Sequence, residues 1–521
     1  MKPIVRIILL LGTLLLLGIT LFYPFGPDQM GFTLGGELIR HGSVQWRDFM
    51  DTKPPLIFYI YALGGVLFGH HEWSVRLLDI LFHIGSLAYL YVVFRRTLKS
   101  EVIAFSSVIL YGALYALNNL TTLAQTESFA LLPVIVLYDM TERSATNDHP
   151  ARNGFIAGVA TTMLLVMKLT LAAAPIASGI YLMLFAPAAS KKTVLRFAAS
   201  AINGIIVSLA IIGGYFYAVG ATERIGQWLT WVREYSKISD QTVQEGLYRI
   251  FPMGIVVAFG FSTLVIGSIG GYVLSKWRER PTTYTHLILQ FAIGCITVLI
   301  ERKFFPYHYL RLYWCAMPFI AVGIGELYQV WKRTMSQYSA GQPMRWARQL
   351  LFIAGLGAII FYSNVPRILT DPIKWMSLKI SSKDYAQSVE DQLWRSHYKE
   401  QIVVADSLRP RLNANDNVFI WGHDAAIYYW LDRYQKKFGL PNAAYVTPWA
   451  PQEWRMELLD SLVHTPPKFF IAESDDIRTY ITGDTLDSWA YLHRWPALSS
   501  FVDSTYGAPR TIGHFHVFER R

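Results

Sequence analysis

The sequence predicts a polytopic α-helical membrane protein of about eleven transmembrane helices, followed by a C-terminal soluble α/β domain. Three observations carry this reading. Of the 521 residues, 53% are hydrophobic and only 16% are charged, where a soluble protein carries about 25% charged residues. Apolar runs of nearly bilayer-spanning length recur as far as residue 364. Basic residues gather in alternate links between those runs. A soluble multidomain enzyme is excluded.

The formal charge of +10 does not indicate a nucleic-acid partner. Residues 366–521 sum to −1 and the first 365 to +11, so the excess sits in the membrane half, where it sets topology. Cys295 and Cys315 both fall inside apolar runs and read as buried small hydrophobes rather than a disulfide or a metal pair.

Taken in order, the run at 7–24 follows Lys2 and Arg6. It has no small-residue cleavage site and many similar runs follow, so it reads as an uncleaved first span. Next comes a charge-dense loop, 25–73, containing Asp28, Glu37, Arg40, Arg47, Asp48, Asp51 and Lys53. Within it, 30–41 suits a short helix along the membrane surface, with Phe32, Leu34, Leu38 and Ile39 toward lipid and Glu37 toward water. Gly35 and Gly36 weaken such a helix. The run 56–68 starts behind Pro54-Pro55 and is too short to span.

Further runs lie at 74–94, 102–117, 127–139, 154–170, 172–188, 197–219, 251–275, 284–301, 309–328 and 349–364. Basic turns such as Lys191–Arg196 and Lys332–Arg348 place one surface in the cytoplasm. The opposite surface then receives 25–73, 220–250, 302–308 and the tail. The expected division is a membrane region, 1–365, with outer loops at 25–73 and 220–250, and an extracytoplasmic α/β domain, 366–521. In the tail, 416–422, 467–474 and 514–520 read as strands, and 388–409, 424–439 and 454–463 as helices. The aromatic loop 220–250 suits a surface helix or a lid.

Several ionisable groups stand where charge is costly. Asp28, Asp51 and Lys53 have an ordinary reading as solvated loop residues. Their density beside two prolines also suits a base and a phosphate-binding cation at the bilayer edge. Glu127 opens an apolar run and Lys168 interrupts one; intramembrane ionisable groups usually face a cavity or each other. Glu301, Arg302, Lys303 and His308 form a further cluster among Phe304, Phe305, Tyr307 and Tyr309. Zinc-type histidine spacing, an H-E-x-x-H motif and a phosphate-binding glycine loop are absent from the sequence.

These residues carry a resemblance. Asp28-Gln29 with Phe32, then Trp46-Arg47-Asp48-Phe49, Asp51 and Lys53-Pro54-Pro55, Phe68-Gly69, and Arg76 through Asp79 resemble the polyprenyl-phosphate-sugar-dependent glycosyltransferases. That family includes dolichyl-phosphate-mannose protein mannosyltransferases and the bacterial enzyme that adds aminoarabinose to lipid A. Gln125-Thr126-Glu127, Lys168 and the stretch 308–318 match further, and the resemblance spans about 7–330. It implies the GT-C architecture and a lipid-linked donor used on the non-cytoplasmic face.

By this resemblance Asp28 is the general base and Glu127 the second acid; Asp51, the other first-loop acid tied to the K-P-P motif, is the alternative catalytic carboxylate. Lys53, Lys168, Lys303 and His308 match positions near the donor phosphate, with Arg302 added on charge. A divalent metal between Asp28 and Glu127 is optional. The family often has Asp-Glu where this chain has Asp28-Gln29, which leaves the second acid's role to another residue. The implied partners are a polyprenyl-phosphate sugar, a glycan, lipid or protein acceptor, and membrane lipids.

The implied reaction is inverting transfer of a glycosyl group to an acceptor hydroxyl or amine in cell-envelope biogenesis. Compact size and a single soluble tail favour a bacterial inner membrane with a periplasmic site. The competing class is a transporter or flippase of a lipid-linked sugar, which accounts for the spans and buried charges but not for the tail or the dense first loop. A non-catalytic scaffold is a third.

Overall fold

The computed structural model describes residues 2–118, 120–238, 281–337, 397–434 and 443–521. The expected spans at 251–275 and 349–364, with parts of the 220–250 loop and of two tail helices, lie outside the described residues. The chain forms two compact units. One unit comprises 1–22, 78–209 and 242–378; the other comprises 23–77, 210–241 and 379–521.

Among the described residues the expectation of about eleven spans is met only in part. Among the described residues four helices are long and apolar enough to cross a membrane: Pro3–Phe22, Glu72–Thr97, Lys191–Ala218 and Tyr284–Glu301. Leu56–Phe68, Glu101–Ala116 and Leu169–Leu184 are apolar but shorter. The reason is interruption. The run at 127–139 becomes a four-residue helix, Thr126–Phe129, and a second, Leu131–Ala145, carrying Asp139, Glu142 and Arg143. The run at 154–170 stops at Lys168, whose extended backbone (φ −164°) separates the helix Pro150–Met167 from a 3₁₀ turn.

In the first unit, buried Tyr111, Tyr115 and Tyr313 pack their rings together. Cys295 and Cys315 are free thiols.

The second unit centres on an aromatic core that gathers Trp46, Phe216, Trp228, Trp231, Trp421, Trp454 and Phe470 from distant stretches of sequence. Burying each contributes roughly 1.5–3 kcal/mol. The first loop does contain the expected helix, Pro27–Arg40, but it does not show Phe32, Leu34 and Leu38 to lipid. They are buried, and Phe32 meets Phe58 and Tyr61 edge to face. The glycines explain it. A Cβ on Gly35 would lie 2.3 Å from Phe58, and one on Gly36 would lie 2.8 Å from the Ala62 backbone, so both permit close packing on the helix Leu56–Phe68. Glu37 is likewise buried, held by Arg40 at 2.6 Å.

The tail sheet has the order β1-β2-β4-β3, with β1 Val418–Trp421, β2 Phe469–Glu473, β3 Arg510–Ile512 and β4 Phe515–Glu519. β1 and β2 are parallel, while β4 runs antiparallel to both β2 and β3. Three of these strands were expected. β3 and the helices Ser488–Arg494 and Pro496–Thr505 add to them, and within the described part of 424–439 the helix is Ala426–Leu431, ended by Asp432 at φ 52°.

Candidate active site

The first-loop group lies in the second unit. Gly26 caps the helix Pro27–Arg40 and puts Asp28 in its first turn, where negative charge is favoured by the backbone N–H groups. The Asp28 carboxylate lies 3.5 Å from Lys53 Nζ. Asp51 Oδ1 accepts from the Lys53 backbone N–H at 2.8 Å, and Gln45 donates to the Lys53 carbonyl at 2.8 Å. The Trp228 indole donates to the Asp51 carbonyl at 2.6 Å, so the helix Ile225–Lys237 braces this turn.

Burial pushes the Asp51 carboxyl above its ordinary range, although the Lys53 charge opposes it. For Lys53 burial favours the neutral amine, but Asp28 and Asp51 outweigh it and keep the ammonium charged. Tyr235 and Tyr480 are within electrostatic reach of Asp28 and Lys53, and Tyr480 brings Arg478 with it. None of these three carried a signal in the sequence, because their proximity is created by the tertiary fold.

In the first unit five charged or titratable groups converge. Lys168 Nζ lies 2.6 Å from Glu127 and 2.9 Å from Glu301. Arg311 Nη2 lies 2.6 Å from the same Glu127 oxygen and 2.7 Å from Glu301. His308 Nδ1 stands 3.0 Å from Glu301. Thr126 donates to Glu127 at 2.6 Å, Thr170 donates to Glu301, and Arg311 donates to Thr297 at 3.0 Å. Lys168 also sits 5.5 Å over the Tyr307 ring. Arg302 and Lys303 occupy the adjoining turn, where Arg302 and Phe304 take left-handed backbone angles. Arg311 is the residue the sequence reading passed over; a lone guanidinium inside an apolar run was the signal.

Glu127 and Arg311 line a pocket whose other walls are apolar and small polar groups, including Leu131, Leu164, Leu171, Ile293 and Trp314. An apolar chamber with a charged wall suits an amphiphile with an anionic head. Glu127, Glu301 and His308 could also bring three ligand atoms to a metal ion, all within 4.8 Å of one another. The charge balance argues against it. Two carboxylates already face one ammonium and one guanidinium, so a metal ion would have to displace Lys168 or Arg311.

Residues 52–213 match the family model described as dolichyl-phosphate-mannose-protein mannosyltransferase. That stretch includes Lys53, Glu127 and Lys168. No curated protein matches the chain in sequence. A structure of ArnT from Cupriavidus metallidurans bound to undecaprenyl phosphate has a similar fold, with TM-score 0.62, 13% identity, and coverage of 98% of this chain and 97% of that one. The apo structure of the same protein gives TM-score 0.59, 14% identity and the same coverage. The fold thus resembles that of ArnT over almost the whole length of the chain, and residues 52–213 match the mannosyltransferase family model.

Proposed function

We propose that this protein transfers a glycosyl group from a polyprenyl-phosphate sugar to a hydroxyl or amine of a cell-envelope glycan, glycolipid or protein. Transfer takes place on the non-cytoplasmic face and inverts the anomeric carbon. The observation that carries the reading is the buried pairing of Lys168 and Arg311 with Glu127 and Glu301 at the wall of an apolar pocket. The structure it resembles binds undecaprenyl phosphate, a ligand of the chemistry this pocket suits.

Such a donor needs no nucleotide site, because C1 already carries a phosphate leaving group. The acceptor oxygen or nitrogen attacks C1 opposite the phosphate, its proton passes to the base, and the C1–O bond breaks to release polyprenyl phosphate. Asp28 is the proposed base, positioned by its helix and by Lys53. Lys168 and Arg311 would stabilise charge on the leaving phosphate, with Lys303, Arg302 and His308 supporting them. Glu127 holds two of those cations in place. Asp51 anchors the turn that carries Lys53.

The test is sugar transfer by purified protein in liposomes, with a panel of polyprenyl-phosphate sugars and acceptors. Movement of intact donor across the bilayer without release of polyprenyl phosphate would overturn the reading in favour of a flippase.

A further inference from the structure

A second carboxylate cluster lies at one end of the tail sheet, beside Arg478. β1 and β2 are parallel, so their carboxyl ends open on one edge, the usual ligand-binding edge of an α/β sheet. Glu473 is the last residue of β2 and is fully buried; Asp424 follows β1 by three positions and is 4% exposed. Their approach is built in. A Cβ on Gly422 would lie 2.4 Å from Glu473 Oε2, and the Asp424 backbone N–H donates to that oxygen at 3.0 Å.

His397, at a left-handed φ of 39°, aims Nδ1 between the two acids, 3.3 Å from Glu473 Oε1 and 4.0 Å from Asp424 Oδ2. Its ring is held by stacking on His514 at 4.0 Å.

The charges do not balance. Asp476, also buried, is committed to the His423 N–H at 3.1 Å and to Ser488, whose N–H and hydroxyl lie at 2.7 and 2.6 Å. Arg478 approaches Asp424 Oδ1 only to 3.6 Å. Asp424 Oδ2 faces His397, is buried and accepts no hydrogen bond, a state that is costly for a carboxylate oxygen. All three ligand atoms lie within 4.8 Å of one another. Donor atoms about 2.1 Å from a zinc-sized ion stand about 3.4 Å apart, close to the spacings seen.

We propose that His397 Nδ1, Asp424 Oδ2 and Glu473 Oε1 form a binding site for one divalent transition-metal ion of the Zn²⁺ or Mn²⁺ class. The imidazole nitrogen selects against Mg²⁺ and Ca²⁺. The ion ties the N-terminus of the helix Tyr398–Leu408 to the ends of β1 and β2. Burial, then the Asp476 charge, push Glu473 up to about 7; burial, then the Glu473 charge, push Asp424 well above its usual range. A metal-free site must therefore hold protons that the ion displaces.

The full-length protein in detergent is stripped with chelator, reloaded with Zn²⁺ or Mn²⁺, freed of excess and analysed for metal. Wild type should retain roughly one equivalent that Asp424→Asn and Glu473→Gln lose and Glu301→Gln keeps. Its melting temperature should rise by at least about 2 °C on reloading. A wild type that retains no metal, or equal metal in all four proteins, overturns the site; loss in Glu301→Gln alone moves the ion to the other cluster and also overturns it. His397→Gln guards against misfolding of the buried variants. Spin-echo modulation of bound Mn²⁺ by a directly ligated imidazole nitrogen should be present in wild type and absent in this variant. Its survival in His397→Gln overturns the assignment.

Discussion

Two buried carboxylate clusters in this chain handle their charge in opposite ways. Glu127 and Glu301 are matched, group for group, by Lys168 and Arg311. Asp424, Glu473 and Asp476 share Arg478 and His397 and leave one oxygen without a donor. A cluster that is internally neutral is prepared to lend its cations to an incoming anion. A cluster short of cations is prepared to accept one. Acidic composition alone says little about function; what matters is which charges are already answered.

The largest effect should come from unbalancing the neutral cluster. Arg311→Met leaves Glu127 and Glu301 with too few cations and should cost about 3–5 kcal/mol of stability, measured by thermal or denaturant unfolding in detergent. Adding Glu301→Leu to Arg311→Met should recover much of it. Failure of that recovery would break the view of this cluster as a balanced set.

Next is catalysis. Asp28→Asn preserves shape but cannot accept a proton, so turnover should fall at least about 10²-fold while the protein stays folded. Near-normal transfer would remove Asp28 and direct attention to Asp51.

The tail cluster should respond to pH with the opposite sign from an ordinary ion-paired acid. Burial raises the Glu473 carboxyl from 4.5 to about 7, so between these values the folded tail holds a proton that the unfolded chain has released. Stability of the metal-free protein should therefore fall as pH rises through that window, by on the order of 2–3 kcal/mol, and added Zn²⁺ should flatten the dependence. Unfolding curves at pH 4.5 and 7, with and without metal, measure it.

The smallest effect calibrates the rest. Arg409 and Asp406 form an exposed pair at 2.7 Å, and Arg409→Ala should change stability by no more than about 0.5 kcal/mol.

The sequence made part of this arrangement legible. Asp28, Lys53, Glu127, Lys168 and His308 stood out because charge beside or within apolar runs demands a reason. Arg311 was hidden in the run 309–328, although the same argument applied to it. Tyr235, Tyr480 and Arg478 could not be found by any local pattern. Gly35 and Gly36 looked like helix breakers when read by propensity and turned out to be contact surfaces when read by packing. Among the described residues, two runs read as continuous are divided or shortened by Lys168 and by the acids of Leu131–Ala145. The strands at 418–421, 469–473 and 515–519 were plain because short apolar runs ended at polar residues.

The brace on the first loop has a consequence for biosynthesis. Asp51 is gripped by Trp228, while Trp231 donates to Thr447 at 3.0 Å and Glu72 accepts from Tyr398 at 2.7 Å. The turn carrying Lys53 thus depends on residues made much later. At roughly 5–20 residues per second, the interval between residues 51 and 447 is on the order of 20–80 s. During that time the tryptophans of the second unit lack their partners, and a nascent chain stalled before the tail would present them to proteases and chaperones.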